Sequence, residues 1–526
     1  MPFLYNKYKT RRQAKSLGER FPVILIGEGL LVGGIGGCVV VLYRMALDRA
    51  GNWLEWILDF AGKASWRIGV WFLILAALAW VTAKLVTWEP LISGSGIPQL
   101  EGEMAGKLDQ KWQRVLPAKF LGGFLCILGG LALGREGPSI QLGAMAGKGI
   151  SRGLDRGKTE EKFLLTCGAG AGLSAAFHAP LAGVMFSLEE VHKNFSVSAL
   201  LSVMTASLTA DFLATAVLGT DSIFQFSIIR ELPVSSYWMV LSLGVLLGAL
   251  GAFYNWFTLK VQSLYDRAWF LNSTGRLLIP FLCAGILGFT VPELLGSGHS
   301  LIEALTGADM LLGTAVCLLA GRFLFSAVSF GSGAPGGIFF PLLVVGGYIG
   351  GIFAMAGTKI WGLDPLYVNN FVLLAMAGYF AAVVRAPLTG IILIFEMTGT
   401  LTQMLSLSVI SIVAYITATL LHSRPIYESL LERLLERRGE APSREQGEKM
   451  LMDFVVCRGS QIEDLTIQEI QWPDNCLLVA VQRGDMEIIP KGKTRLQAGD
   501  VIVTMADERD GAWIHDHLEA LCRERI

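Results

Sequence analysis

An acid and a base interrupt an apolar stretch at Gly134-Arg135-Glu136-Gly137-Pro138. A carboxylate near the centre of a bilayer costs about 2.5–3.5 kcal/mol even on the lenient insertion scale, so Glu136 needs a partner, a cavity or a task. Two further glycine-rich breaks share its character, Gly94-Ser95-Gly96-Ile97-Pro98 and Gly337-Ile338-Phe339-Phe340-Pro341. Each can end or start a helix inside the membrane. Non-helical backbone survives at that depth only where it is buried in protein or lines a cavity, because lipid satisfies no amide. The exposed N–H groups of a broken helix carry partial positive charge and favour an anion. One such break alone fits close packing through small residues or a proline kink. Three on one plan favour an anion site.

The elements that must hold these breaks are membrane helices. The chain has 526 residues, 53% hydrophobic and 17% charged, against roughly 25% charged in soluble domains. Apolar runs at 22–44, 69–86, 276–295, 310–330 and 404–421 reach or approach the span of about 20 residues that crosses a bilayer, while 119–150 and 331–357 are cut by glycine and proline. Lys7, Lys9, Arg11, Arg12, Lys15 and Arg20 against a single Glu19 place the N-terminus in the cytoplasm. No small-residue cleavage site follows them, so a cleaved signal peptide is not expected. The net charge of −1 and the lack of long like-charge runs argue against a nucleic-acid partner. Eight scattered cysteines and six dispersed histidines form no ligand spacing, so neither a metal nor a cofactor is expected, and no catalytic residues are assigned.

The chain repeats itself. At an offset of 203, Lys119-Phe120-Leu121 matches Arg322-Phe323-Leu324, Gly130 matches Gly333, Gly134 and Pro138 match Gly337 and Pro341, and Gly143 and Gly147 match Gly346 and Gly350. At an offset of 207, Ala179-Pro180-Leu181 matches Ala386-Pro387-Leu388, and Glu189 matches Glu396. Two halves, about 20–220 and 235–425, therefore share one plan, and duplicated halves with broken helices point to a transporter whose site lies at their interface. The expected fold is an all-α polytopic membrane protein with inverted-topology repeats, followed by a small cytoplasmic α+β domain. Residues 1–20 form the N-terminal segment, 21–430 the membrane domain, 431–452 a charged linker containing Ala441-Pro442-Ser443, and 453–526 the small domain. In the last, DFVV, CLLVAVQR, MEIIP and DVIVTMA read as strands and 507–524 as a closing helix.

The segments GSGIPQLEG, GREGPSIQLG, GGIFFP and the later Pro425-Ile426-Tyr427 resemble the four anion-site elements of the CLC chloride channel and transporter family, across about 20–430. The resemblance implies that Ser95 and Tyr427 donate hydroxyls to a central anion and that the amides of Ile338 and Phe339 add backbone donors. It makes Glu136 the outer gate, filling an anion position when ionised and swinging away when protonated. Glu190, which aligns with Met397 in the repeat and so is the unpaired acid of Glu189-Glu190, takes the place of the internal proton-transfer glutamate of exchangers; Glu101 takes that of a supporting acid near the inner vestibule. The structural alternatives are an Arg135–Glu136 ion pair, a helix cap at Ser95, an interfacial aromatic at Tyr427 and a solvated helix-end acid at Glu190. Gln99 and Phe340 depart from the common prokaryotic pattern of Glu and Ala. By the same resemblance, serine at 95, where plant-type exchangers carry proline, implies chloride over nitrate.

The segment 453–506 resembles the RCK-C (TrkA-C) regulatory domain, where CLC proteins usually append other modules. That resemblance implies either a ligand, an ion or a nucleotide such as cyclic di-AMP, or dimer stabilisation alone. Together the resemblances imply a homodimeric chloride/proton antiporter of the cell membrane with both termini cytoplasmic. A passive chloride channel, or a membrane-anchored sensor, is the alternative.

Overall fold

The computed structural model describes residues 2–219, 232–268, 270–306, 310–399, 403–439, 449–484, 486–507 and 510–523, with side chains from residue 23 onward. The basic side chains at 7–20 and the Ala441-Pro442-Ser443 linker lie outside the described residues. The chain divides into two units, Met1–Leu434 and Leu435–Ile526.

The first unit is helical and built twice. Its first half runs α1 (Pro2–Gly62), α2 (Ser65–Trp88), α3 (Ile97–Met104), α4 (Trp112–Leu128), α5 (Glu136–Gly153), α6 (Lys158–Phe177), α7 (Pro180–Phe186) and α8 (Val197–Leu218). Its second half runs α9 (Tyr237–Arg267), α10 (Ser273–Thr290), α11 (His299–Thr306), α12 (Leu312–Gly331), α13 (Phe339–Ile360), α14 (Val368–Val384), α15 (Pro387–Thr398) and α16 (Met404–Leu420). Long, short and broken helices follow one another in the same order. The packing repeats as well: α5 lies on α6 as α13 lies on α14, and α1 lies on α8 as α9 lies on α16. Helix α17 (Ile426–Arg438) has no counterpart among the described residues. Among the described residues, eight helices are long and apolar enough to cross a membrane, namely α1 from Val23, α2, α8, α9, α10, α12, α13 and α14.

The repeated glycines mark where helices touch. A Cβ on Gly143 would sit 2.1 Å from the Gly168 carbonyl oxygen, and one on Gly147 would sit 2.2 Å from that of Leu164. Their partners in the repeat do the same work, Gly346 against Tyr379 and Ala375 and Gly350 against the Phe371 carbonyl at 2.2 Å. Small residues let backbones approach where lipid supplies no hydrophobic drive between helices. That close packing anchors the starts of α5 and α13.

The second unit holds a four-stranded antiparallel sheet of β1 (Lys449–Val455), β2 (Cys476–Arg483), β3 (Met486–Ile488) and β4 (Val501–Asp507) in the order β1-β4-β2-β3. Helix α18 (Gly511–Cys522) closes its core of Phe454, Val481, Ile502, Ile514 and Leu518. The four strands expected from alternating apolar residues are all present. β1 begins at Lys449, and α18 starts at Gly511 because β4 runs on to Asp507.

Candidate functional site

The two repeat frames meet. Gly134 N–H donates to the Gly337 carbonyl at 2.7 Å and Gly337 N–H donates to Gly134 at 2.8 Å, an isolated antiparallel bridge between positions that match in the repeat. Immediately after it, α5 starts at Glu136 and α13 at Phe339, so two helix N-termini face one spot deep in the unit. Gly137 lies against Ser95, since a Cβ on it would come within 2.9 Å of the serine Cβ, and Gly337 lies against the Gly137 amide. Ser95, Glu136, Ile338, Phe339 and Tyr427 are all at most 1% exposed. Rings of Phe177, Phe186 and Phe380 stack round Phe339, with centroids 4.7–5.8 Å away, and make an apolar collar. Amides in such a setting are worth more than in water, because nothing screens them.

Each sequence-derived residue can be placed. Ser95 Oγ accepts from Ile97 N–H at 3.3 Å, a local cap that leaves the hydroxyl hydrogen free for another acceptor. The Tyr427 hydroxyl is fully buried with no hydrogen-bond partner among the described residues, and the carboxyls of Glu190, Glu101 and Glu136 are the acidic groups acting on it. Glu136 extends from the start of α5 to the amide of Phe340 on α13, so one carboxylate spans both helix starts. Arg135 lies between two acids: its Nε is 4.0 Å from Glu136 and its Nη1 is 3.0 Å from Asp48. The guanidinium therefore links the buried Glu136 to the more exposed Asp48.

Glu190 lies on the π-helical turn after α7 and Glu101 on α3; both are 5% exposed and their carboxyls face each other. Their neighbour Glu189 does something else. It accepts from the Leu388 and Thr389 amides at 3.3 and 2.8 Å, at the start of α15. Its repeat partner Glu396 accepts from Leu181 and Ala182 at 2.9 and 2.7 Å, at the start of α7. Each half thus caps a short helix of the other.

Several supporting residues escaped the sequence reading. Lys119 is wholly buried and donates to the carbonyls of Ile92 (2.8 Å) and Gly94 (2.6 Å), fixing the turn that carries Ser95. Its repeat partner Arg322, 1% exposed, donates to Leu294 and Gly296 at 2.9 Å and to Ser297. That second turn, Gly296-Ser297-Gly298, is the twin of Gly94-Ser95-Gly96: the φ angles are +62° and +95° against +67° and +94°. A match at an offset of 202 would have found it. Gln141, inside the GREGPSIQLG segment but given no role there, donates to the Leu91 carbonyl at 2.9 Å and to Gln110 at 2.7 Å and packs under Gly96, where a Cβ would strike it.

The turn at Gly296-Ser297-Gly298, with Asp48, Arg135 and His299, lines a cleft of about 710 Å³ on one face. Arg156 pairs with Glu28 of α1. In the second unit, burial opposes the charge of Asp500, but the hydrogen-bonded guanidinium of Arg483 at 2.8 Å and the Gln497 amide outweigh it and hold its carboxyl below the usual range. Among the described residues, one group offers metal-ligand atoms within reach of each other, His515, Asp516 and Glu519, on the surface of α18.

Helix starts converging from two inverted halves on a buried spot with hydroxyl donors define an anion transport protein of the CLC type. Residues 75–419 match the family described as voltage gated chloride channel, and residues 451–510 match the TrkA-C domain. The chain belongs to the voltage-gated chloride channel family. It is 36% identical over 437 residues to the H(+)/Cl(-) exchange transporter ClcA of Vibrio cholerae serotype O1, covering 80% of this chain and 91% of that protein. The ClcA of Klebsiella pneumoniae is 33% identical over 434 residues, covering 80% and 90%. The crystal structure of a slow cyanobacterial Cl−/H+ antiporter, 32% identical, superimposes with a TM-score of 0.76 over 79% of this chain and 99% of that one.

Proposed function

We propose that this protein exchanges chloride for protons across the cell membrane, with its N-terminus and TrkA-C domain in the cytoplasm. The reach of Glu136 from α5 to the Phe340 amide carries the proposal. An ionised carboxylate there fills the place of an anion at two helix starts; once protonated it holds that place weakly, because helix dipoles favour negative charge. The anion then takes the vacated amides, with Ser95, Tyr427 and the amides of Ile338 and Phe339 as donors. One group serves two ions in turn, which is the minimum that exchange requires.

Glu190 supports antiport over a passive channel. It is a second buried acid that does not line the 710 Å³ cleft, and it acts on the same Tyr427 hydroxyl as Glu136 does. Protons entering there and leaving at Glu136 would cross the unit on a route that overlaps the anion's only near Tyr427. We further propose a homodimer in which each subunit keeps its own pathway. The outward faces of α8 and α16 are apolar and exposed, with Leu208 at 49%, Phe212 at 71% and Leu405 at 67%, and such faces need lipid or a partner.

Chloride flux and pH followed together in proteoliposomes test the reading. A chloride gradient that drives protons uphill is the expected result. Chloride movement with no proton movement would make the protein a channel, and no flux at all would make it an anchor for its C-terminal domain.

A further inference from the structure

Glu190 and Glu101 are buried, yet a proton acceptor for cytoplasmic water must be reached from that water. Lys193 lies three residues beyond Glu190, at the end of the π-helical turn, with φ of +52°. This left-handed turn, uncommon for a residue with a side chain, aims its ammonium at Glu428, 2.6 Å away. Glu428 sits in the first turn of α17, one residue after Tyr427. The two side chains are half exposed, at 45% and 48%, whereas the carboxyls of Glu101 and Glu190 just beneath are almost fully buried. Lys193 and Glu428 are also the charged groups that act on both buried carboxyls from outside the pair. His192, next in the chain, faces elsewhere, with Nδ1 3.0 Å from Thr166 Oγ1 on α6.

We propose that the Lys193–Glu428 pair is the cytoplasmic doorway of the proton route: Glu428 collects a proton from inner water and Lys193 holds it over Glu190 and Glu101. The proposal rests on the antiport reading above. A carboxylate at the surface gathers protons from water and hands them on only within hydrogen-bond reach or through one water. An exposed ion pair is stabilised weakly and opens readily, so it can hold that carboxylate in place and still release it. Chloride has no use for this pair, because its donors are Tyr427, Ser95 and the helix amides.

The test uses the full-length protein in proteoliposomes. Lys193→Met and Glu428→Gln each slow proton-coupled exchange by about two- to fivefold, the range an exposed pair can account for. Because the pair acts as a unit, the double variant is no slower than either single one. Lys193→Arg, which keeps the charge, retains wild-type exchange. In a Glu136→Gln background, where chloride passes without protons, the same substitutions leave chloride flux unchanged. Unaltered proton flux in both single variants overturns the proposal, as do losses that multiply in the double variant. An equal loss in the Glu136→Gln background also overturns it, by showing a packing role. A wild-type protein that moves chloride but no protons removes the antiport reading itself, a result separate from any of these.

Discussion

The two halves of the membrane unit make the same parts and use them differently. Both place a Gly-Ser-Gly turn under a buried cation, Lys119 for Gly94-Ser95-Gly96 and Arg322 for Gly296-Ser297-Gly298. Both start a long helix two residues beyond the bridged glycines Gly134 and Gly337. The first half then presents Glu136, and the second presents Phe339. The first turn reaches the buried centre, where Ser95 meets Gly137, while the second lines the open cleft beside Arg135. A duplicated scaffold supplies helix amides twice, and a titratable group placed on only one copy gives the site a direction.

The largest effect that could break this contrast comes from the two acids found only in the first half. Glu136→Gln is expected to abolish proton movement while chloride still passes, and Glu190→Gln to abolish proton movement with chloride transport retained; simultaneous chloride and pH recordings decide both. Uphill proton transport by the Glu190 variant would remove its role. Next come the two buried cations. Replacing Lys119 or Arg322 with Met strands carbonyls at about 1–3 kcal/mol each, so both variants should melt earlier in detergent. Only Lys119→Met should also weaken chloride binding, by about tenfold or ~1.4 kcal/mol in calorimetry. Equal weakening by both would mean that the second turn serves the anion too. The smallest effect is expected from Tyr427→Phe, which removes one donor among several and should raise the chloride Kd by about fivefold, near the ~1 kcal/mol of a single hydrogen bond.

Much of this arrangement was legible before any coordinates. Glycine and proline spacing located all three breaks, and the offset of 203 paired Gly134 with Gly337 without saying that they touch. The repeat gave Glu189 and Glu396 a shared structural role, and the two are found in one: Glu189 caps the other half's α15, and Glu396 does the same on α7. Glu101 read as support near a vestibule, and no spacing in the sequence showed that it faces Glu190. Lys119 and Arg322 stood in the alignment as matched letters. Their task depends on carbonyls 25 to 28 residues away, and backbone carbonyls leave no mark in a sequence.

The sequence by itself determined the membrane class, the duplication, the positions where helices break, the strands of the small domain and the identity of the two acids, Glu136 and Glu190, whose repeat positions in the second half are Phe339 and Met397. These follow from local rules of hydropathy, side-chain alternation and backbone freedom, which act over a few residues. The tertiary structure alone decided that the two breaks bond to each other, that Glu136 lies over the amide of Phe340, and that Lys193 meets Glu428 across 235 residues. Such contacts arise when inverted halves associate and their buried polar groups must find partners in a medium that offers none.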